Sequence, residues 1–368
     1  TISSILPRAL IIRLAVHLVR VWMIQLSLDD WEVVVKALKI IVGLLCVVGL
    51  VACDRSSEVV VGVRKAPVSA ELKKFVGVLK GNLIYVEGGE FLMGDYGAEY
   101  GVENLPYDSD VDSKPLHGVL LSSYSIEKFK ITNRAFNLYL RSNGLVLRQD
   151  VSGGMFEAFS VPPNVPAHMD WYEAEKYCKW LADISELPFA LPTEAQWEYA
   201  ARSRGQFMMV ATDDGTYRVA RERIPGEHGL RGLNISSTWN RQAFAKEMGW
   251  RSEGLTPLPV DQFPPNPLGL YSMSDNGLEW VNDWYDPDYY KYSPLKDPTG
   301  PDKPVFKDYF GRDMKVVRGQ SLANPAWGGG VNVHRTAAEP HGFASADDSV
   351  FLSSKTARCV VNSQDPVR

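Results

Sequence analysis

Residues 191–202 read LPTEAQWEYAAR, and beside them in importance stands residues 264–290, PPNPLGLYSMSDNGLEWVNDWYDPDYY. The first stretch sets a helix start by its own chemistry. Thr193 is a good N-cap, Gln196 three residues on completes a capping box, and Trp197, Ala200 and Ala201 follow on the helix. The second stretch is punctuated by Pro, Gly and Asn and crowded with aromatics, so it reads as irregular, tightly packed chain rather than a long helix or strand. Trp171, Trp180, Trp197, Trp280 and Trp284 are expected to fill the core, because tryptophan buries a large area wherever its N–H finds a partner. Arg202 and Arg335 are expected to pair with the acids of their own blocks.

Working outward, residues 83–86 (LIYV) and 87–94 (EGGEFLMG) read as two strands around a glycine turn. Thr132 caps a helix with Phe136, Tyr139 and Leu140 on one face and Gly144 at its end. Asp170 with Glu173 opens another, on which Trp171, Ala174, Cys178 and Leu181 recur at helical spacing. After residue 203, turn-rich stretches dominate. The 368 residues are 45% apolar and 23% charged, which suits a globular protein. The net charge of -5 supplies no basic stripe, so a nucleic-acid partner has no electrostatic footprint here.

In order along the chain, GGEFLMG, KFKITNRAF, DWYEAEKYCKWL, LPTEAQWEYAAR, the 264–290 block, SPLKDPTGP, KVVRG and TARCV resemble the hallmark blocks of the formylglycine-generating, sulfatase-modifying-factor family. The resemblance spans residues 82–363 and implies an α+β, C-type-lectin-like fold with low regular secondary structure. In the family's enzymes, an RGGSW motif precedes two cysteines, five residues apart, that bind copper and activate oxygen to turn a target cysteine into formylglycine. Here Arg318-Gly319-Gln320-Ser321 keeps the lead-in, but Asn324 and Gly329 stand at the cysteine positions. Copper(I) prefers soft thiolates, so no copper and no formylglycine chemistry are expected.

A sulfoxide-forming branch of the superfamily uses iron on a His-x-x-x-His-x-Glu helix. The six histidines, His17, His117, His168, His228, His334 and His341, lack that spacing. The resemblance implies structural calcium held by the Glu279 carboxylate and the carbonyls of Ser274, Asp275 and Gly277, the alternative for Glu279 being a buried acid paired with an arginine. A second calcium site would use Asn234 and Ile235, with Met248 where its partner acid belongs. It also implies a disulfide between Cys178 and Cys359, two buried free thiols being the alternative. A second family disulfide maps to Ala201 and Thr336, so both its halves are lost.

The N-terminal region addresses the chain. Lys36 and Lys39 precede the apolar run IIVGLLCVVGLVA and Cys53, the layout of a basic region, a short hydrophobic region and a processing site. Leu50-Val51-Ala52-Cys53 resembles a bacterial lipobox, which makes Cys53 the lipidated mature N-terminus and the protein a periplasm-facing lipoprotein. Asp54 favours the inner membrane. Residues 35–52 are then the signal peptide, 53–81 a tether with room for one short helix, and 1–34 an over-extended gene model upstream of a start near Val35. A peptide from residues 1–34 found in cells would refute that start.

These readings converge on a membrane-anchored pseudoenzyme that binds a periplasmic protein or envelope ligand, serving immunity to a secreted toxin or assembly of envelope machinery. Residues 206–230 and 321–345 depart most from the family pattern and are expected to form the functional surface. The competing expectation is a metal-dependent oxidase with a rearranged site at His334, His168 or His228. Peptidoglycan scaffolding is a third.

Overall fold

The computed structural model describes residues 69–148, 155–219, 232–250, 255–322, 330–341, 349–351 and 353–367. Helix α1 (Ala70–Gly81) starts at Ser69, whose side chain accepts from the Leu72 N–H. Leu72, Phe75 and Leu79 lie one and two turns apart and pack on the core, Phe75 with its ring 5.7 Å from that of Trp180. The folded body therefore includes residues 69–81, ahead of the expected start near Asn82. The last 12 residues of the expected tether carry an apolar face that the domain buries.

The two strands expected around the glycine turn are present as β1 (Leu83–Val86) and β2 (Gly89–Met93), but they do not pair with each other. β2 pairs with β3 (His117–Leu121), and β1 with β4 (Tyr124–Glu127), both antiparallel. Gly88 explains the difference. A Cβ there would lie 2.2 Å from the Leu121 carbonyl oxygen, and its N–H donates to Ser123 Oγ at 3.0 Å. The glycine admits a neighbouring backbone instead of closing a hairpin.

The main sheet runs β1-β4-β11-β6, with β6 at Phe189–Ala190 and β11 at Val360–Val361. Its strands separate two apolar clusters, because alternate side chains point to opposite faces. Val361 joins Phe189, Leu181 and Cys178 on one side. Val360 joins Val86, Ile126 and Trp197 on the other.

Three helices form where the caps place them. α3 (Asn133–Asn143) begins at Thr132 and ends at Gly144, whose φ of +68° closes the turn. α5 (Trp171–Ser185) begins at Asp170, which accepts from the Glu173 N–H at 2.8 Å. α6 (Glu194–Ala201) has the full Thr193/Gln196 capping box. Short helices α2 (Gly97–Tyr100) and α4 (Met155–Ser160) and a parallel pair, β5 (Val146–Arg148) with β10 (Ser349–Phe351), complete the first half and its edge.

Beyond residue 203 the chain holds more order than its turn-rich composition suggests. α7 (Thr238–Glu247) starts at a Ser237/Asn240 capping box. β7 (Glu279–Trp284), β8 (Lys315–Arg318) and β9 (Thr336–Ala338) form an antiparallel sheet. Trp171, Trp180, Trp197 and Trp280 are buried, as expected. Trp284 is half-buried, and the Lys315 ammonium sits 3.9 Å from its ring and from that of Trp171. Cys178 and Cys359 are bonded, with Cα atoms 5.8 Å apart, tying α5 to the residue before β11. Among the described residues no helix is long and apolar enough to cross a membrane.

Candidate functional site

The last block of the sequence is mounted on a buried lattice of charge. Arg318, at the end of β8, gives one N–H to Glu194 at 2.7 Å and another to Glu198 at 2.6 Å. Glu198 also accepts from Arg202 at 2.8 Å and from the Gly94 N–H at 3.0 Å, so Arg202 pairs within its own block as expected. Arg335 does not. It reaches across to Glu194 through two bonds of 2.7 and 3.0 Å, because β9 runs beside β8 and brings it over the start of α6.

All five side chains are at most 2% exposed, and buried charges persist only when paired and hydrogen-bonded in this way. Burial alone would raise the Glu194 carboxyl, but Arg335 and Arg318 hold it below its ordinary value. For Asp283 the Glu194 N–H, Lys315 and Arg335 do not offset burial. Burial and then the Glu194 charge push it up to about 7.

The lattice fixes the loops above it. Arg318 donates to the Asn332 carbonyl, the Asn332 N–H donates to Met209 O at 2.8 Å, and its side-chain amide donates to Met208 O at 2.9 Å. Val210 and Val331 bridge across the same seam. The described parts of the two divergent segments, 206–219 and 330–341, are thus stitched together.

Ser321 is half-buried, and its N–H donates to Gln320 Oε1 at 2.9 Å. The Gln320 carbonyl accepts from the Gly277 N–H, so the lead-in is pinned to the 274–279 loop. Asn324, Gly329 and Cys53 lie outside the described residues.

Two of the donors named for calcium, the Glu279 carboxylate and the Gly277 carbonyl, are otherwise engaged. Glu279 is fully buried and accepts Arg358 through two bonds of 2.6 and 3.0 Å and Lys130 Nζ at 2.8 Å. Burial opposes its charge, and Arg358 and Lys130 together keep its carboxyl below the ordinary range. The Gly277 carbonyl accepts the same Lys130 ammonium at 2.6 Å. The Ser274 carbonyl packs against Gly330, where a Cβ would lie 2.9 Å away, and the Ser274 hydroxyl bonds Ala211 N and Asn332 Oδ1. The Asp275 carboxylate takes Arg241 at 2.6 Å and both donors of Ser236.

The set does not fit a calcium ion, which needs six to eight oxygens. The arginine-paired alternative for Glu279 is the one realised, with a lysine added. At the second site, the Asn234 Nδ2 donates to Asp213, Asp214 and the Thr216 carbonyl, and its Oδ1 accepts the Arg218 N–H. Ile235 is buried, and Met248 stands half-exposed as the C-cap of α7. At this second position the Asn234 side chain is spent on Asp213, Asp214, Thr216 and Arg218, and both aspartates are paired with Arg218.

Of the histidines, His17 and His228 lie outside the described residues. His168 is buried beside Phe159, and burial pushes it down to about 3, so it is neutral. His117 is also lowered by burial and packs on Tyr290. His341 stacks on Tyr172 at the surface. His334 differs. Its Nδ1 lies 3.1 Å from Asp108 Oδ2, and ligand atoms of Asp108, Asp110 and His334 all fall within 4.8 Å of one another.

Its hydrogen bond to Asp108 raises His334, and although burial alone would raise Asp108, the His334 bond holds that carboxyl down. The rim nearby is apolar and acidic: Val102, Leu105 and Val111 are exposed, and Tyr100 stacks on Phe207 at 4.6 Å. Sequence reasoning missed Asp108, Asp110 and Lys130. The alternating acids of DSDVD and a lone lysine between Phe129 and Ile131 were the available signals.

A scaffold of short strands on few helices, tied by one long-range disulfide around a buried Glu–Arg lattice, defines a class of low-regularity α+β domain. Residues 70–348 match the sulfatase-modifying factor enzyme 1-like domain, and the chain belongs to that family. It is 29% identical over 258 residues to the formylglycine-generating enzyme of Streptomyces coelicolor, covering 59% of this chain and 74% of that one. It is 29% identical over 251 residues to the serine/threonine-protein kinase pkn1 of Chlamydia pneumoniae, covering 64% of this chain but only 32% of the kinase. It is 25% identical over 292 residues to the inactive C-alpha-formylglycine-generating enzyme 2 of Mus musculus, covering 67% and 76%. Among solved structures, PvdO from Pseudomonas aeruginosa shares the fold with a TM-score of 0.50 and 20% identity over 76% of this chain and 93% of PvdO.

Proposed function

We propose that this protein is a lipid-anchored, periplasm-facing binding module in which the formylglycine-generating scaffold has lost its oxidative chemistry. The carrying observation is the fate of sulfur. The chain has four cysteines; Cys46 and Cys53 lie in the N-terminal region, and Cys178 and Cys359 are consumed by the disulfide. No thiol of the domain is left to ligate copper(I), and Asn324 and Gly329 supply only oxygen and backbone. An inactive member in mouse is consistent with a scaffold that outlives its chemistry.

Binding falls to the stitched segments around 206–219 and 330–341 and the acidic, apolar rim at 100–111, since loops over a rigid base carry function in such folds. The occupant is a protein or envelope ligand, in an immunity or assembly role. Pull-down from envelope extract with the full chain tests this. A specific partner lost on substituting Tyr100 and Phe207 supports it, and retention of that partner by the variant contradicts it. Fatty-acid labelling that is abolished by Cys53→Ser tests the anchor.

A second reading, a metal-dependent oxidase with a rearranged site, is favoured by one observation, the clustering of Asp108, Asp110 and His334. Iron or copper retained at one per chain and lost in His334→Ala, together with oxygen uptake, would establish it.

A further inference from the structure

We propose that the Lys130 ammonium is a resident cation. It fills the oxygen cage of the 277–279 loop in place of a divalent metal, and the cage becomes a hard-cation site only when Lys130 is replaced. This is separate from the partner-binding reading and stands or falls without it.

The geometry is that of a filled site. Lys130 Nζ lies 2.6 Å from Gly277 O, 2.8 Å from Glu279 Oε1 and 3.4 Å from Thr356 Oγ1. Three acceptors meet the three N–H donors of an ammonium. The Lys130 and Glu279 side chains have no exposure. The Thr356 hydroxyl spends its own proton on Leu278 O at 2.9 Å, so a lone pair remains for Lys130. Gly277 makes the carbonyl available: its φ is +109°, and a Cβ would lie 2.7 Å from Thr356 Cγ2. One ammonium therefore ties three distant segments, the lead-in to α3, the 277–279 loop and residue 356.

A metal cannot join it. A second cation would sit against Lys130 and against Arg358, which already holds both Glu279 oxygens. Removing Lys130 reverses the balance. It takes the short bond from the Gly277 carbonyl, leaving the Thr356 hydroxyl 3.4 Å away, and opens an oxygen-lined gap in which a carboxylate at position 130 together with water would complete the oxygens a hard divalent ion needs.

Lysine labelling by reductive methylation, read by mass spectrometry on the folded full chain, tests the proposal directly. Lys130 is expected to stay unmodified both in chelator and in excess calcium, while exposed lysines such as Lys307 react. Calcium-dependent labelling of Lys130 would show that the metal displaces it and would overturn the proposal. In a second arm, Lys130→Glu and Lys130→Gln are melted with chelator and with calcium. Calcium should raise the Tm of Lys130→Glu by roughly 5 °C or more beyond any shift in the parent, and leave Lys130→Gln closer to it. A folded Lys130→Glu that responds to calcium no differently from the parent also overturns it. The labelling arm tests the residency of Lys130 on the unaltered protein whether or not the variants fold.

Discussion

Replacing both Cys178 and Cys359 by alanine should destabilise the domain more than any single polar change on its surface. The bridge closes a loop with a sequence separation of 181 residues. In the chain-entropy view, a loop of that size restricts the unfolded ensemble by about 5 kcal/mol at 25 °C. Both residues are fully buried in the cluster of Leu181, Phe189 and Val361, so loss of the sulfurs adds about 1 kcal/mol of packing. At 2–4 °C per kcal/mol for a domain of this size, the Tm should fall by roughly 12–24 °C. Urea and thermal melts of parent and double variant, run without reductant, give the number. A change below about 1 kcal/mol would refute the reasoning, because it would mean that the long loop is already closed by other contacts when the chain unfolds.

Glu127 is fully buried, and burial pushes its carboxyl up to about 7. The folded state therefore binds more protons than the unfolded state between about pH 4.5 and 7, and stability falls as pH rises through that window and then levels off. Glu127→Gln keeps an acceptor for the Cys359 N–H, so urea melts should show it matching the parent near pH 5 and exceeding it at pH 8. Asp283, raised in the same way, adds to the parent's slope. Glu194→Gln removes the charge that Arg318 and Arg335 share, and should cost about 3–5 kcal/mol by equilibrium unfolding, with loss of the ordered 330–335 segment seen by hydrogen exchange. Gly88→Ala drives a methyl group into the Leu121 carbonyl and should lose at least about 2 kcal/mol in the same melts.

The sequence exposed those parts of the fold whose signals are local. Thr132, Asp170 and Thr193 are caps whose side chains need only the next turn, and each begins a helix where its spacing says. Strand partners were not legible, since the choice between β1–β2 and β1–β4 depends on the backbone that Gly88 admits from residues 121–123, far along the chain. The Ser237/Asn240 box was readable in principle but is embedded in turn-rich chain.

The site followed the same division. That no cysteine lies between Cys178 and Cys359 is a matter of residue identity and could be read directly. What Glu279 does could not, because its partners Lys130 and Arg358 lie 149 and 79 residues away in sequence. The calcium expected there was implied by the family resemblance, and the Glu279 carboxylate is instead paired with the side-chain cations of Lys130 and Arg358. Arg335 likewise found Glu194 across 141 residues rather than an acid in its own block.

The central claim is that no thiol pair remains to drive oxygen activation in this domain. Its most direct test is incubation of the purified full chain with copper(I), oxygen and a sulfatase-type peptide bearing the target cysteine, followed by mass spectrometry and aldehyde-specific capture. The account predicts that the peptide keeps its thiol, with no aldehyde above a protein-free control. Catalytic appearance of formylglycine, at more than one turnover per chain, would contradict it.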